Sequence, residues 1–156
     1  MLGRGFIPPS ETLNHVIVGC GGISKMHTSP RMTGQHRIVG ICDVDAQHLK
    51  AKFDEIKLAG GGTPMMAEDF REVIAMPDAD VVHVCTPPHW HGVIAAMAAR
   101  RGKAVWCEKP LTRTIGEGIA LSRVVQQTGV PFRVNTWFRL NRTNYYGVGP
   151  AREIRR

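Results

Sequence analysis

Residues His15–Ser24 read HVIVGCGGIS. A continuously apolar, β-branched run breaks into glycines and then opens a predicted helix. Aligned on the dinucleotide fingerprint G-x-G-x-x-G/A, it reads Gly19, Cys20, Gly21, Gly22, Ile23 and Ser24. Gly19 permits a tight turn out of the strand, and Gly21 lets backbone approach a pyrophosphate with no side chain between. Ser24 supplies a small residue where helix and strand pack closely. The free N–H groups of the following helix, predicted over Ile23 to about Met32, would face the phosphates. A glycine pattern alone is a weak signal. The strand before it and an acid at the right distance after it strengthen it.

Working outward, the chain alternates between the two element types. Strands are predicted at His36–Cys42, Thr63–Met66, Val81–Cys85, Ala104–Cys107 and Phe132–Thr136. Between them, helices are expected over Ala46–Leu58 with Asp45 as its cap, Glu68–Ala75, Trp90–Arg101 and Ile115–Thr128. Glycines at 60, 102 and 129 close three of them. The expected fold is α/β: a Rossmann-type, doubly wound, mostly parallel sheet of about six strands with helices on both faces. Residues 1–13 read as an irregular arm, 14–137 as the dinucleotide-binding domain, and 138–156 as a basic tail.

With 156 residues, 43% of them hydrophobic, the chain suits one globular domain with its own core. No apolar run approaches the roughly 20 residues of a membrane span. The net charge of +7 is concentrated at one end, where six arginines from Arg133 to Arg156 face a single acid, Glu153. A basic excess in a terminal tail, without a recognisable module around it, argues against nucleic-acid binding. The tail reads instead as a segment that packs against another domain. Four cysteines (20, 42, 85 and 107) lack C-x-x-C spacing, so no metal site is expected. Each falls near a strand end and reads as a small core residue, with oxidation sensitivity near a cleft as the rival reading.

Ligands of such sheets bind outside the strand C-termini, so the residues just after each strand carry the function. Asp43 lies 22 positions beyond Gly21, close to the spacing of a ribose-binding acid. Its carboxylate would accept from the adenosine ribose hydroxyls and repel a 2′-phosphate, which favours NAD over NADP; the rival reading is a turn or helix-capping acid. Thr86 and Pro87 would line the centre of a cofactor, whereas His89 and His91 without a nearby carboxylate make a weak metal pair. Residue chemistry alone leaves Lys109 open between pairing with an acid or cofactor hydroxyl and helping a substrate hydroxyl lose its proton.

Taken together, VGCGGIS, ICDVD, VCTPPHWHGVIAA, WCEKPLT and VNTWFR, in this order and spacing, resemble the Gfo/Idh/MocA oxidoreductases over about Leu13 to Leu140. That family includes glucose–fructose oxidoreductase and inositol dehydrogenase. The resemblance implies that Gly19, Gly21, Gly22, Ile23 and Ser24 hold the pyrophosphate of NAD and Asp43 its adenosine ribose. It implies that Thr86, Pro87 and His91 border the cofactor. Glu108 and Lys109, followed by Pro110, would reach the nicotinamide ribose and the reacting centre, with Lys109 catalytic and Asn135 near the nicotinamide.

Family members carry a second α/β domain that supplies most of the substrate pocket and commonly the oligomer interface. The chain ends at Arg156 without one, so the tail is expected to lead toward a C-terminal substrate domain that is absent. The expected function is cofactor binding for hydride transfer between NAD and a sugar, polyol or related alcohol. This chain alone is expected to bind without turnover, and the full-length parent to be a homo-oligomer. The alternatives are a stand-alone dinucleotide sensor or regulatory subunit, and the cofactor half of an NAD-dependent glycosidase. The opening GRGFIPPSETLN resembles secreted bacterial members of the family. The compartment is therefore expected to be cytoplasmic, or periplasmic if an upstream signal has been removed.

Overall fold

The computed structural model describes residues 12–29 and 36–136, so the arm up to Glu11 and the basic tail lie outside the described residues. Six strands form one sheet: β1 (Asn14–Val18), β2 (Arg37–Cys42), β3 (Met65–Ala67), β4 (Val81–Val84), β5 (Ala104–Glu108) and β6 (Phe132–Asn135). Every neighbouring pair is parallel, in the order β3-β2-β1-β4-β5-β6. This is the doubly wound Rossmann arrangement, with the order reversing between β1 and β4. Four α-helices connect the strands: α1 (Ala46–Leu58), α2 (Phe70–Ile74), α3 (Pro88–Arg100) and α4 (Ile115–Thr128).

The helix boundaries follow from local chemistry. Asp45 caps α1, its Oδ1 accepting from the N–H groups of Gln47 (2.8 Å) and His48 (3.2 Å). Thr114 and Glu117 form a reciprocal capping box at α4, and Gly129 ends it in the left-handed region at φ +66°. Pro88 begins α3 in the first turn, where a missing N–H costs nothing.

Alternation along the strands divides the core in two. Val16, Val18, Val82, Val84, Val105 and Cys107 join Ile74, Ile94, Ala98 and Leu121 in an aliphatic cluster with α2, α3 and α4. Ile17, Ile38 and Ile41 pack instead with Leu49 and Ile56 of α1. The same strand faces also carry His15, His83 and Glu108, all buried.

One predicted element is corrected. The segment after the glycine turn is a 3-10 helix of five residues, Gly22–Met26, followed by a turn, rather than an α-helix running to Met32. Ser24 Oγ donates to the Gly21 carbonyl (2.6 Å), and the His27 N–H donates to Ser24 O (2.9 Å). These bonds tighten the turn, and the helix-dipole contribution expected there shrinks with the length of the element. The predicted remainder from Pro30 to Met32 lies outside the described residues.

Candidate functional site

The site begins with the constraint on Gly19. Its φ is +95°, and a Cβ built there would stand 2.6 Å from the Cys85 carbonyl carbon and 2.8 Å from the Thr86 nitrogen. Only glycine lets the end of β1 lie this close to the end of β4 at the switch point. A Cβ on Gly21 or Gly22 would meet nothing within 4 Å, so backbone here faces an open cradle. The N–H groups of Gly22 and Ile23, at the start of the turn, have no acceptor within it. Ser24 differs: it is fully buried, and its hydroxyl is spent on Gly21 O.

Asp43 stands beside this turn. Its Oδ2 accepts from the Cys20 N–H (2.7 Å), and its Oδ1 accepts from the Asp45 N–H (2.9 Å). The carboxylate therefore fixes the glycine turn against the end of β2. Each oxygen retains a lone pair for a hydroxyl donor.

Across the switch point, His91 ties two loops together. Its Nδ1 lies 2.7 Å from Pro110 O and its Nε2 lies 2.7 Å from Thr86 O. The buried ring thus clamps the end of β4 to the Glu108-Lys109-Pro110 turn, whose Lys109–Pro110 peptide bond is cis. Glu108 is 2% exposed and accepts at Oε1 from Asn135 Nδ2. Lys109 is exposed at the mouth of the cleft.

All of the sequence-predicted residues thus lie at the C-terminal edge of the sheet. They fall into a turn group (19–24 with Asp43) and a clamp group (Thr86, Pro87, His91, Glu108, Lys109 and Asn135). Thr86 Oγ1 and Glu108 Oε2 are buried without a hydrogen-bond partner among the described residues. Such atoms are rare in native interiors. The open cradle, the acid beside it and these two orphaned oxygens suit a dinucleotide lying across the switch point.

One functional neighbour escaped the sequence reading. His27 is buried, with Nε2 2.7 Å from Glu108 Oε1. No local signal marks it, because its partner is 81 positions away. The cysteines are all free and buried. Burial pushes the thiols of Cys20, Cys42 and Cys107 up to about 12, with Asp43 adding to the effect at Cys20 and Cys42 and Glu108 at Cys107. That favours the core reading over reactive thiols. A separate concavity of about 520 Å³ between α3 and α4, lined by Val93, Met97, Leu121 and Val124, shares no residue with the turn or clamp groups. No helix of the described residues is long and apolar enough to cross a membrane.

Fold and cleft together define a nicotinamide-dinucleotide-binding Rossmann domain. Residues 13–136 match the family model described as "Oxidoreductase family, NAD-binding Rossmann fold". The chain belongs to that family, the Gfo/Idh/MocA oxidoreductases. It is 32% identical over 114 residues to scyllo-inositol 2-dehydrogenase (NAD(+)) of Bacillus subtilis, covering 73% of this chain and 32% of that protein. It is 31% identical over 123 residues to a glycosyl hydrolase family 109 protein of Saccharopolyspora erythraea, covering 75% of this chain and 26% of the relative. Among solved structures, levoglucosan dehydrogenase in complex with NADH and levoglucosan superposes with a TM-score of 0.70 at 28% identity, over 85% of this chain and 36% of that one. The chain spans about a third of the length of the curated relatives it matches.

Proposed function

We propose that this chain is the cofactor-binding part of an NAD-dependent oxidoreductase acting on a sugar, polyol or related alcohol. The observation that carries the reading is the pairing of an open glycine cradle, braced by Asp43, with orphaned Thr86 Oγ1 and Glu108 Oε2 across the switch point. In this reading Gly21, Gly22 and Ile23 meet the pyrophosphate through backbone, and Ser24 acts by bracing the turn. Asp43 receives the adenosine ribose hydroxyls, and its charge disfavours a 2′-phosphate, so NAD is preferred to NADP. Thr86, Pro87 and His91 border the cofactor, Glu108 receives the nicotinamide ribose, and Asn135 orients Glu108.

A nicotinamide held there supplies the hydride acceptor or donor. Lys109 handles the accompanying proton: an ammonium beside the substrate oxygen lowers the cost of placing or removing a proton as the carbon changes oxidation state. The remaining substrate pocket belongs to a second domain, as does oligomer formation. Similarity to a family 109 glycosyl hydrolase favours a second reading, in which the same cofactor half serves a glycosidase.

Calorimetric titration tests the cofactor assignment. The chain should bind NAD⁺ at least about tenfold more tightly than NADP⁺, the worth of one strong charged contact. Asp43→Asn keeps one acceptor oxygen for the Cys20 N–H while removing the charge, and should narrow that preference. Equal affinity for both cofactors in the unaltered chain would overturn the ribose assignment.

A further inference from the structure

Behind Glu108, His27 opens a file of imidazoles that runs away from the site described above. His27 Nε2 lies 2.7 Å from Glu108 Oε1, His83 Nδ1 lies 2.8 Å from His27 Nδ1, and His15 Nδ1 lies 2.6 Å from His83 Nε2. The three rings are at most 4% exposed. Trp106 stacks on His83 with ring centroids 5.5 Å apart and meets His27 edge-on at 5.6 Å. At the other end, the His15 ring lies 4.9 Å from that of half-buried His36. His15 Nε2 is buried without a partner among the described residues. The file begins on β1, one strand position from its start, and ends at the last residue of β5. It crosses the domain from the N-terminal to the C-terminal edge of the sheet. Among the described residues, no three His, Cys, Asp or Glu side chains converge on a point that could hold a metal ion.

Hydrogen-bond arithmetic orders the file. A neutral imidazole has one N–H and one bare nitrogen. With Glu108 as an acceptor carboxylate, His27 donates from Nε2 and must accept at Nδ1. His83 then donates from Nδ1 and accepts at Nε2, and His15 donates from Nδ1. The bare nitrogen left over is His15 Nε2, the one atom of the file without a partner. With the three rings neutral, each carries one proton and all point toward Glu108. Burial keeps His83 well below and His15 at about 4 against an ordinary value of 6.5, with neighbouring histidines pushing the same way and Asp80 opposing at His15, so both rings are neutral at pH 7.

We propose that His15, His83 and His27 form a single-file proton path linking the N-terminal edge of the sheet at β1 to Glu108 at the cofactor edge. The path rests on the cofactor reading for its use, and on the ring geometry for its existence. In one passage a proton binds His15 Nε2, and the Nδ1 proton of His15 moves to His83 Nε2. The Nδ1 proton of His83 then moves to His27 Nδ1, and the Nε2 proton of His27 moves to Glu108. Four bonds to hydrogen form and four break, three within the file and one on the donor that reaches His15 Nε2, and the proton comes to rest on Glu108. Reduction of a carbonyl by hydride consumes one proton, and the file resupplies the cofactor edge after Lys109 has given up its own. The flipped file, with Glu108 protonated, returns a proton when the alcohol is oxidised. The charged and titratable groups around the file are His36 before β2, Asp80 before β4, Arg133 of β6 over Trp106 (5.2 Å), and Glu108 itself.

Long-range ¹H–¹⁵N spectra of the ¹⁵N-labelled chain at pH 7 test the order directly. Each ring should show one protonated nitrogen: Nε2 in His27, Nδ1 in His83 and His15. A doubly protonated ring, or neighbouring rings facing proton to proton or lone pair to lone pair, would overturn the path. The second readout is solvent exchange of the His27 Nε2 proton in the NAD⁺-saturated chain, where the cleft end is covered. His83→Phe keeps a ring against Trp106 and removes both nitrogens. It should slow that exchange at least roughly tenfold while leaving NAD⁺ affinity within about twofold. Unchanged exchange in a folded His83→Phe chain would overturn the path; should this variant fail to fold, the tautomer pattern of the unaltered chain decides alone. Failure of the cofactor reading shows separately, as absent NAD⁺ binding in the calorimeter.

Discussion

The two faces of the one sheet differ in what they bury: both pack aliphatic side chains, and only one also buries a line of imidazoles. On one face Val16, Val18, Val82, Val84, Val105 and Cys107 meet the apolar sides of α2, α3 and α4. On the other, residues of the same strands place His15, His83 and Glu108 in the interior beside half-buried Trp106. Aliphatic burial is non-directional and stabilises in proportion to area. Buried imidazoles contribute only where each nitrogen is matched, and an unmatched one costs on the order of 1–3 kcal/mol. The difference teaches that the first face holds the domain together, while the second spends part of that stability on a polar line that leads to the cofactor edge.

Four expectations break or sharpen the contrast, taken in order of their effect on stability. Ile94 is 1% exposed in the aliphatic cluster, and Ile94→Ala should cost about 4 kcal/mol by chemical denaturation. Acidification should strike the other face. His15 has a folded-state value of about 4 against 6.5 when unfolded, because burial disfavours its charged form. The unfolded chain therefore binds the proton first. The neutral ring's stability is complete above pH 6.5 and is lost as pH falls toward 4, by on the order of 3 kcal/mol. His83 adds to the loss in the same direction. Denaturation midpoints measured between pH 7 and 4 check this, and a flat profile would contradict it.

Thr114→Ala removes half of the capping box of α4 and should cost about 1 kcal/mol, with NAD⁺ binding unchanged. Gly21→Val should move stability by no more than about 0.5 kcal/mol, since its φ of −69° suits any residue and its Cβ would point into open space. In calorimetry the same variant should lose NAD⁺ binding, because the added side chain fills the cradle.

Strand and helix order was legible because each element carries its own punctuation. Asp45 and the Gly60 region bracket α1, while Thr114 and Gly129 bracket α4, and both helices run between the residues expected. The expected grouping of Gly19, Asp43, Thr86, Glu108 and Asn135 at one edge followed from the rule that parallel strands present their C-termini together. What the sequence did not disclose was set by tertiary contact. The tightening of Gly22–Met26 into a 3-10 helix depends on where Ser24 and His27 are buried. β3 begins at Met65 rather than Thr63, because its pairing with β2 starts at Gly40. The imidazole file joins positions 15, 27 and 83, whose spacing follows no helix or strand period and becomes meaningful only when β1 and β4 lie side by side.

In the proposed function a nicotinamide dinucleotide lies across the C-terminal edge between the glycine turn and the Glu108 clamp. Amide chemical-shift mapping of the ¹⁵N-labelled chain during titration with NAD⁺ tests it most directly. The account predicts that the shifted amides cluster at Gly19–Ser24, Asp43, Thr86, Glu108–Lys109 and Asn135. Shifts centred on the α3–α4 concavity, or none at saturating NAD⁺, would contradict it.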